Sequence, residues 1–169
     1  GKYVALPIEL PEITKDNYIL RILPRTDERT PHIGHLTHCC QSVSGAGSYC
    51  AEHATKNPLG CQLVIEFKGE IIAQSWVWTN QWREYIVFDN IEVSDGNRSK
   101  APIIFELYEK AAQALYAYGY TQVMVGQGYN DLPCLTDEKY FMQVCIAVDC
   151  SKHSYSDAKK QVQFYKSEE

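Results

Sequence analysis

The densest group of reactive side chains in this chain is His35-Leu36-Thr37-His38-Cys39-Cys40, followed by Cys50-Ala51-Glu52-His53. Thiolate and imidazole bind zinc tetrahedrally, and Cys50 with His53 has the spacing of one ligand pair. The other pair would have to be His35 with His38 or Cys39, which is not the doubled short spacing of a zinc motif. A second chemistry makes Cys39 or Cys40 a nucleophile with His38 or His53 as its base, and Gly45-Ala46-Gly47 a source of backbone donors. No cysteine-protease signature surrounds these residues. The plainer reading is structural: buried thiols act as small hydrophobes, and the glycine-rich turn lets two elements pack closely. No metal is expected.

Two further groups carry chemistry. Asn90 and Glu92 fall on the same face of a strand, because side chains alternate with period two. A glutamate serving as base near neutral pH needs burial to raise its pKa; otherwise it is an edge carboxylate facing solvent. Arg98-Ser99-Lys100 is the best basic patch and stands just before a helix start at Ala101-Pro102. Anions are favoured at that end of a helix by its dipole and its unbonded amides. The alternative is a solvated basic loop. Trp76 and Trp78 share one strand face and read as core or as cover for a sheet. Base stacking would need accompanying cations, and only Arg83 is near.

These groups need a scaffold. A length of 169 residues fits one domain with one core over 1–169, alone or as a piece of a longer protein. Apolar residues make up 45% of the chain, an ordinary globular share. A net charge of -5 gives no general field for nucleic acid. The longest apolar run, Ile71 to Trp78, is too short to span a bilayer and is broken by Gln74 and Ser75. Gly1–Leu10 does not read as a signal segment. Seven cysteines, an odd number with two adjacent, fit reduced thiols and a cytoplasmic location.

Along the chain, 1–16 reads as an extended arm, Tyr18–Leu23 as a strand and Arg25–Pro31 as a loop. Short helices are expected before Gly45 and over Tyr49–Ala54. Cys61–Phe67, a turn at Lys68-Gly69-Glu70 and Ile71–Thr79 make a hairpin. After a turn at Asn80–Glu84, Tyr85–Val93 extends it to an antiparallel meander. Ser94–Lys100 is a loop. From Pro102, apolar residues Ile103, Ile104, Leu107, Tyr108, Ala111, Ala114, Leu115 and Tyr118 recur at helical spacing, and Gly119 ends the helix. The strand Thr121–Val125 should then run parallel to Tyr85–Val93 through a crossover. A short helix over Leu135–Phe141 and strands over Val144–Val148 and Gln161–Tyr165 complete the α/β (α+β) mixed-sheet pattern.

That order resembles the GNAT acyl-CoA N-acyltransferase superfamily, most closely over Cys61–Phe141. The runs Gln74-Ser75-Trp76-Val77-Trp78 and Phe88-Asp89-Asn90-Ile91-Glu92 are similar to a bacterial or phage branch. The resemblance implies that two parallel strands splay apart and admit the pantetheine arm of acetyl-CoA or another acyl-CoA. It implies a pyrophosphate loop of the form Gln/Arg-x-x-Gly-x-Gly/Ala, matched here by Arg98-Ser99-Lys100-Ala101-Pro102-Ile103. Arg98 fits, Ala101 replaces the first Gly, Ile103 stands where Gly or Ala is usual, and Pro102 removes a donor. Val93, Arg98, Ser99, Lys100, Ala101 and Asn130 are the implied cofactor contacts. Glu92 is the implied general base. Tyr140, with Tyr129 second, is the implied acid for the leaving thiolate. The implied activity is acyl transfer to an amine on a small molecule or macromolecule. The departures in the loop keep open a module that has lost CoA and serves binding or regulation, and the Cys39/Cys40/Cys50/His53 cluster keeps open a metal- or thiol-dependent enzyme.

Overall fold

The computed structural model describes residues 7–37, 48–126, 142–144 and 160–165. Nine strands form one sheet among these residues, in the order β1-β2-β3-β4-β5-β7-β9-β8. The strands are β1 (Ile13–Lys15), β2 (Tyr18–Ile22), β3 (Gly60–Phe67), β4 (Glu70–Thr79), β5 (Tyr85–Phe88), β6 (Glu92–Val93), β7 (Gln122–Gly126), β8 (Met142–Val144) and β9 (Lys160–Tyr165). The short β6 pairs with β4 off this path. Three helices accompany them: α1 (Ile33–Leu36), α2 (Ser48–Lys56) and α3 (Ala101–Ala117). All pairings are antiparallel except β5 with β7, which is parallel, as a strand–helix–strand crossover requires.

The β3–β4 hairpin turns on two residues, Lys68 and Gly69, with φ of 51° and 84°. Two positive φ values match the twist of the flanking strands. The expected meander and parallel strand are therefore present. Two expectations are corrected. The arm at 1–16 contains β1, paired with β2 through a turn at Asp16-Asn17 in which Asp16 has φ 52°. The loop at Arg25–Pro31 runs into a 3-10 turn, Thr30–His32, that leads to α1. The structure extends the helix read over Tyr49–Ala54 to Ser48–Lys56. Strand β9 covers the expected Gln161–Tyr165, and β8 ends at Val144, where a strand was expected to begin. The helix expected over Leu135–Phe141 lies outside the described residues.

The sheet has two dressed faces. On one, α3 buries Ile104, Leu107, Tyr108, Ala111, Ala112 and Leu115 against Leu63, Ile65, Ala73, Val77, Phe88 and Val125. The helical stripe is as read, except that Tyr118 is exposed at the helix end. Tyr108 still satisfies its hydroxyl in this apolar layer, at 3.0 Å from Ser75 Oγ. Burial raises its pKa well above the ordinary phenol value. On the other face, α2 packs Cys50 and Ala54 on Trp76, Trp78, Val87 and Met124. A smaller cluster of Leu23, Ile33, Ala51, Val64 and Ile71 adjoins it. Arg25 ties α2 to β3 by donating to Ala54 O (3.0 Å) and Gly60 O (2.7 Å).

Candidate active site

The strand read as Tyr85–Val93 is broken. Phe88 pairs with Val77 and Glu92 with Gln74, so Asp89, Asn90 and Ile91 face only Ser75 and Trp76. One extra residue makes a bulge, which bends a strand and re-aims its side chains. Asp89 N–H still donates to Trp76 O at 2.8 Å, and Ser94 N–H to Ile72 O at 2.8 Å. The bend keeps β6 on β4. Parallel pairing runs from Tyr85↔Gln122 to Phe88↔Val125 and ends there. Strand β7 ends one residue later, at Gly126, and pairs with β9 on its other side from Val123 to Gly126.

The bulge also decides which side chains lie at the end of this pairing. Phe88, Ile91 and Val93 all join the α3-side core. Asp89, which follows Phe88 and bonds at Trp76, and Glu92, which stands between Ile91 and Val93, then take the opposite, α2 side. Asp89 and Asn90 are buried, and Glu92 is half-buried. Glu92 lies across from Gln74, whose side chain is also on this face. The expected shared face of Asn90 and Glu92 assumed an uninterrupted strand, and the bulge replaces that strand.

Beyond Val93, Gly96 takes φ 82° and Asn97 donates to Ser94 Oγ at 2.8 Å. Arg98–Lys100 form a 3-10 turn, and α3 follows at Ala101. A helix leaves its first four amides without intrahelical partners. Here Lys100 N–H bonds Asn97 O, Ala101 N–H bonds Arg98 O, and Pro102 has none. That leaves the Ile103 amide. Arg98 and Ser99 are exposed at the turn. Lys100 is directed elsewhere: its ammonium sits 4.0 Å from the centroid of the Phe67 ring and 5.8 Å from that of Tyr18. Those two rings stack at 4.5 Å. Cation–π attraction explains the placement.

The structure brings Val93, Arg98, Ser99, Lys100 and Ala101 onto one connection leading from Glu92 to α3. Tyr140, Tyr129 and Asn130 lie outside the described residues, as do His38, Cys39, Cys40 and Gly45–Gly47. The described half of the Cys/His group belongs to the core. Cys50 is buried against the tryptophans. His53 Nδ1 accepts a hydrogen bond from Trp76 Nε1 at 3.1 Å, with the rings edge to face. Accepting at Nδ1 fixes the neutral imidazole with its proton on Nε2. Among the described residues no three His, Cys, Asp or Glu side chains are placed to hold a metal ion.

One group was missed from sequence. Gln62 Nε2 donates to Gln74 Oε1, and Gln74 Nε2 donates to Thr37 Oγ1 at 3.2 Å. Thr37 in turn donates to Ile33 O at 3.0 Å. All three side chains are buried. Two glutamines inside otherwise apolar strands, on the strand parity of Trp76, were the available signal.

Comparison with known proteins gives a fold and no close relative. No protein-family sequence model matches the chain, and no curated protein matches by sequence. Many solved structures do match in three dimensions. An aminoglycoside 6'-acetyltransferase type Ii is similar with a TM-score of 0.56 at 13% identity, over 85% of this chain and 92% of that one. A chimeric spermidine N-acetyltransferase from Vibrio cholerae is similar with a TM-score of 0.55 at 10% identity, over 87% and 93%. An acyl-CoA N-acyltransferase from Klebsiella pneumoniae gives 0.55 at 10%, over 86% and 94%. The chain has the mixed-sheet fold of the GNAT acyltransferases, at low sequence identity to them. No described helix is long and apolar enough to cross a membrane.

Proposed function

We propose that this chain is an acyl-CoA-dependent N-acyltransferase. The observation that carries the reading is the end of parallel β5–β7 pairing at Phe88↔Val125, beside the Asp89–Ile91 bulge that keeps β6 on β4. Strand edges that part leave backbone amides and carbonyls unpaired, and the amide groups of a pantetheine arm can pair with them. In this reading Val93 borders the arm, Asn130 contacts it, and Arg98 with Ser99, Ala101 and the Ile103 amide holds the pyrophosphate. Lys100 joins them by leaving the Phe67 ring. Glu92 takes the proton of the attacking amine, directly or through water. Tyr140 supplies the proton to the departing thiolate. The acceptor is an amine on a small molecule or a macromolecule. A cytoplasmic location, where acyl-CoA and reduced thiols coexist, fits the same reading.

A second reading, a binding module without CoA, is favoured by one feature. The turn before α3 spends or lacks three of the four N-terminal amides, and Lys100 is already engaged. Calorimetric titration of acetyl-CoA into the chain separates the two. The acyltransferase reading expects saturable binding, about tenfold weaker in Arg98→Ala, the scale of one lost charge-assisted contact. No binding at millimolar acetyl-CoA would overturn it and leave the module.

A further inference from the structure

Among the described residues, the apolar side chains that α2 buries against the sheet are small: Cys50, Ala51 and Ala54. Small side chains remove little area from water, so polar contacts carry a large share of the hold. Arg25 reaches Ala54 O and Gly60 O. His53, only 6% exposed, accepts at Nδ1 from Trp76 Nε1 at 3.1 Å. An indole nitrogen can only donate, so this bond exists only while Nδ1 carries a lone pair. The ring is also held in place. Nδ1 lies 2.3 Å from the point that a Gly60 Cβ would occupy, which seats the imidazole against the β3 backbone. An imidazolium has an N–H at both nitrogens. A second proton on His53 sets two buried donors against each other, and a buried donor without an acceptor is strongly disfavoured.

We propose that His53 is a proton-operated latch on α2: when its imidazole takes a second proton, the Trp76 bond is lost and α2 leaves the sheet while the core under α3 stays closed. The charged and titratable groups around the ring do not relieve the conflict at Nδ1. From the segment after β2, Arg25 brings a cation to the residue after His53 and opposes a second one. From the bulge, Asp89 is buried on the α2 side with its N–H on Trp76 O, and its carboxylate favours a cation. On α2 itself, Glu52 and Lys56 pair at 3.3 Å on the exposed side, and Cys50 is buried one turn before His53. From β3 comes Cys61, whose thiol burial keeps protonated. Tyr85 of β5 packs beside the tryptophans, and His32 of the 3-10 turn is exposed. Trp76 and Trp78 of β4 and Met124 of β7 carry no charge. A free imidazole takes its proton near pH 6.5. Docking of α2 is therefore favoured above that pH and weakens below it, by up to about tenfold per unit, because release takes up one proton. The cluster under α3 contains no imidazole. The face that α2 leaves is the one that carries Trp76, Trp78 and Glu92.

The test is hydrogen exchange of the α2 amides, read by mass spectrometry at about pH 7.5 and about pH 5.5 and corrected for the intrinsic rate at each. A released helix whose imidazole titrates near 6.5 gains about tenfold in population across that range. Protection of α2 should fall about tenfold, while α3 and β4 keep theirs. In His53→Gln the side-chain oxygen can accept from Trp76 and does not titrate, so the fall should shrink below about twofold. Trp76→Phe, a second variant, removes the donor and should shrink the fall at least about threefold. Protection of α2 that is the same at both pH values in the unaltered protein would overturn the proposal. So would an undiminished fall in both folded variants. A fall of equal size in α3 would overturn it too, since that marks loss of the whole fold and not release of one helix.

Discussion

Gly60 begins β3 where the chain leaves α2, and its missing side chain is what lets His53 lie where it does. A Cβ on Gly60 would stand 2.3 Å from His53 Nδ1, 2.6 Å from Cε1 and 3.1 Å from His53 O. Ordinary contact begins near 3.4 Å, so a Gly60→Ala methyl must push the imidazole by about 1 Å. Nδ1 is the atom that accepts from Trp76 at 3.1 Å, so that displacement breaks the bond. A buried indole N–H without a partner costs about 1–3 kcal/mol. Crowding in a closed core adds about 1–3 kcal/mol. A total near 3 kcal/mol would lower Tm by about 6–12 °C in a domain of this size. The assay is thermal and urea unfolding followed by tryptophan fluorescence, in a double-mutant cycle with His53→Ala. Removing the imidazole makes room for the methyl. Gly60→Ala should therefore cost under about 1 kcal/mol in the His53→Ala background. Equal costs in both backgrounds, or a loss below about 0.5 kcal/mol in the native one, would refute the clash.

Other expectations concern titration and catalysis. Hydrogen bonds from Arg29 hold Asp27 down at about 2. Its folded pKa lies below the unfolded value near 3.9, so its contribution is present above about pH 4 and is lost as pH falls through 2. Stability curves of Asp27→Asn and the unaltered chain should converge at pH 2 and separate above pH 4. Burial pushes the Cys61 thiol up to about 12, so it stays protonated at pH 8. Mass-spectrometric mapping should find it unlabelled by iodoacetamide until urea unfolds the chain. Under the proposed function, Glu92→Gln should lower kcat by about 10²–10⁴ and leave acetyl-CoA binding within about twofold, read by steady-state kinetics and calorimetry.

What the sequence made legible follows from range. The β3–β4 hairpin and α3 are written in local terms: a Lys68-Gly69 turn, a period of two, a period of three to four, and Pro102 at the helix start. The bulge was not legible. Ile91 and Val93 keep the alternation of an unbroken strand, and only their pairing with β4 shows the extra residue. Strand β1 was too short to show a pattern, with three residues held by β2. The candidate site was legible only as positions in the chain. Glu92 and Arg98 were named by position relative to the helix. The aromatic partner of Lys100, Phe67, was not legible because it is 33 residues away. Nothing local to Gly60 shows that its neighbour in space is the side chain of His53.

Strand β9 lies between β7 and β8, although both precede it in the chain. Until Lys160–Tyr165 emerge during synthesis, β7 is held on one side by β5 and offers its other edge to solvent, and β8 has no neighbour in the sheet. A nascent chain thus carries an open template for strand addition from the emergence of β7 until that of β9. Deletions that remove β9 should leave the β1–β7 half able to collapse around α3 yet prone to associate edge to edge. Closure of the sheet is a late, long-range event, so chaperone dependence should track the time taken to add that one strand.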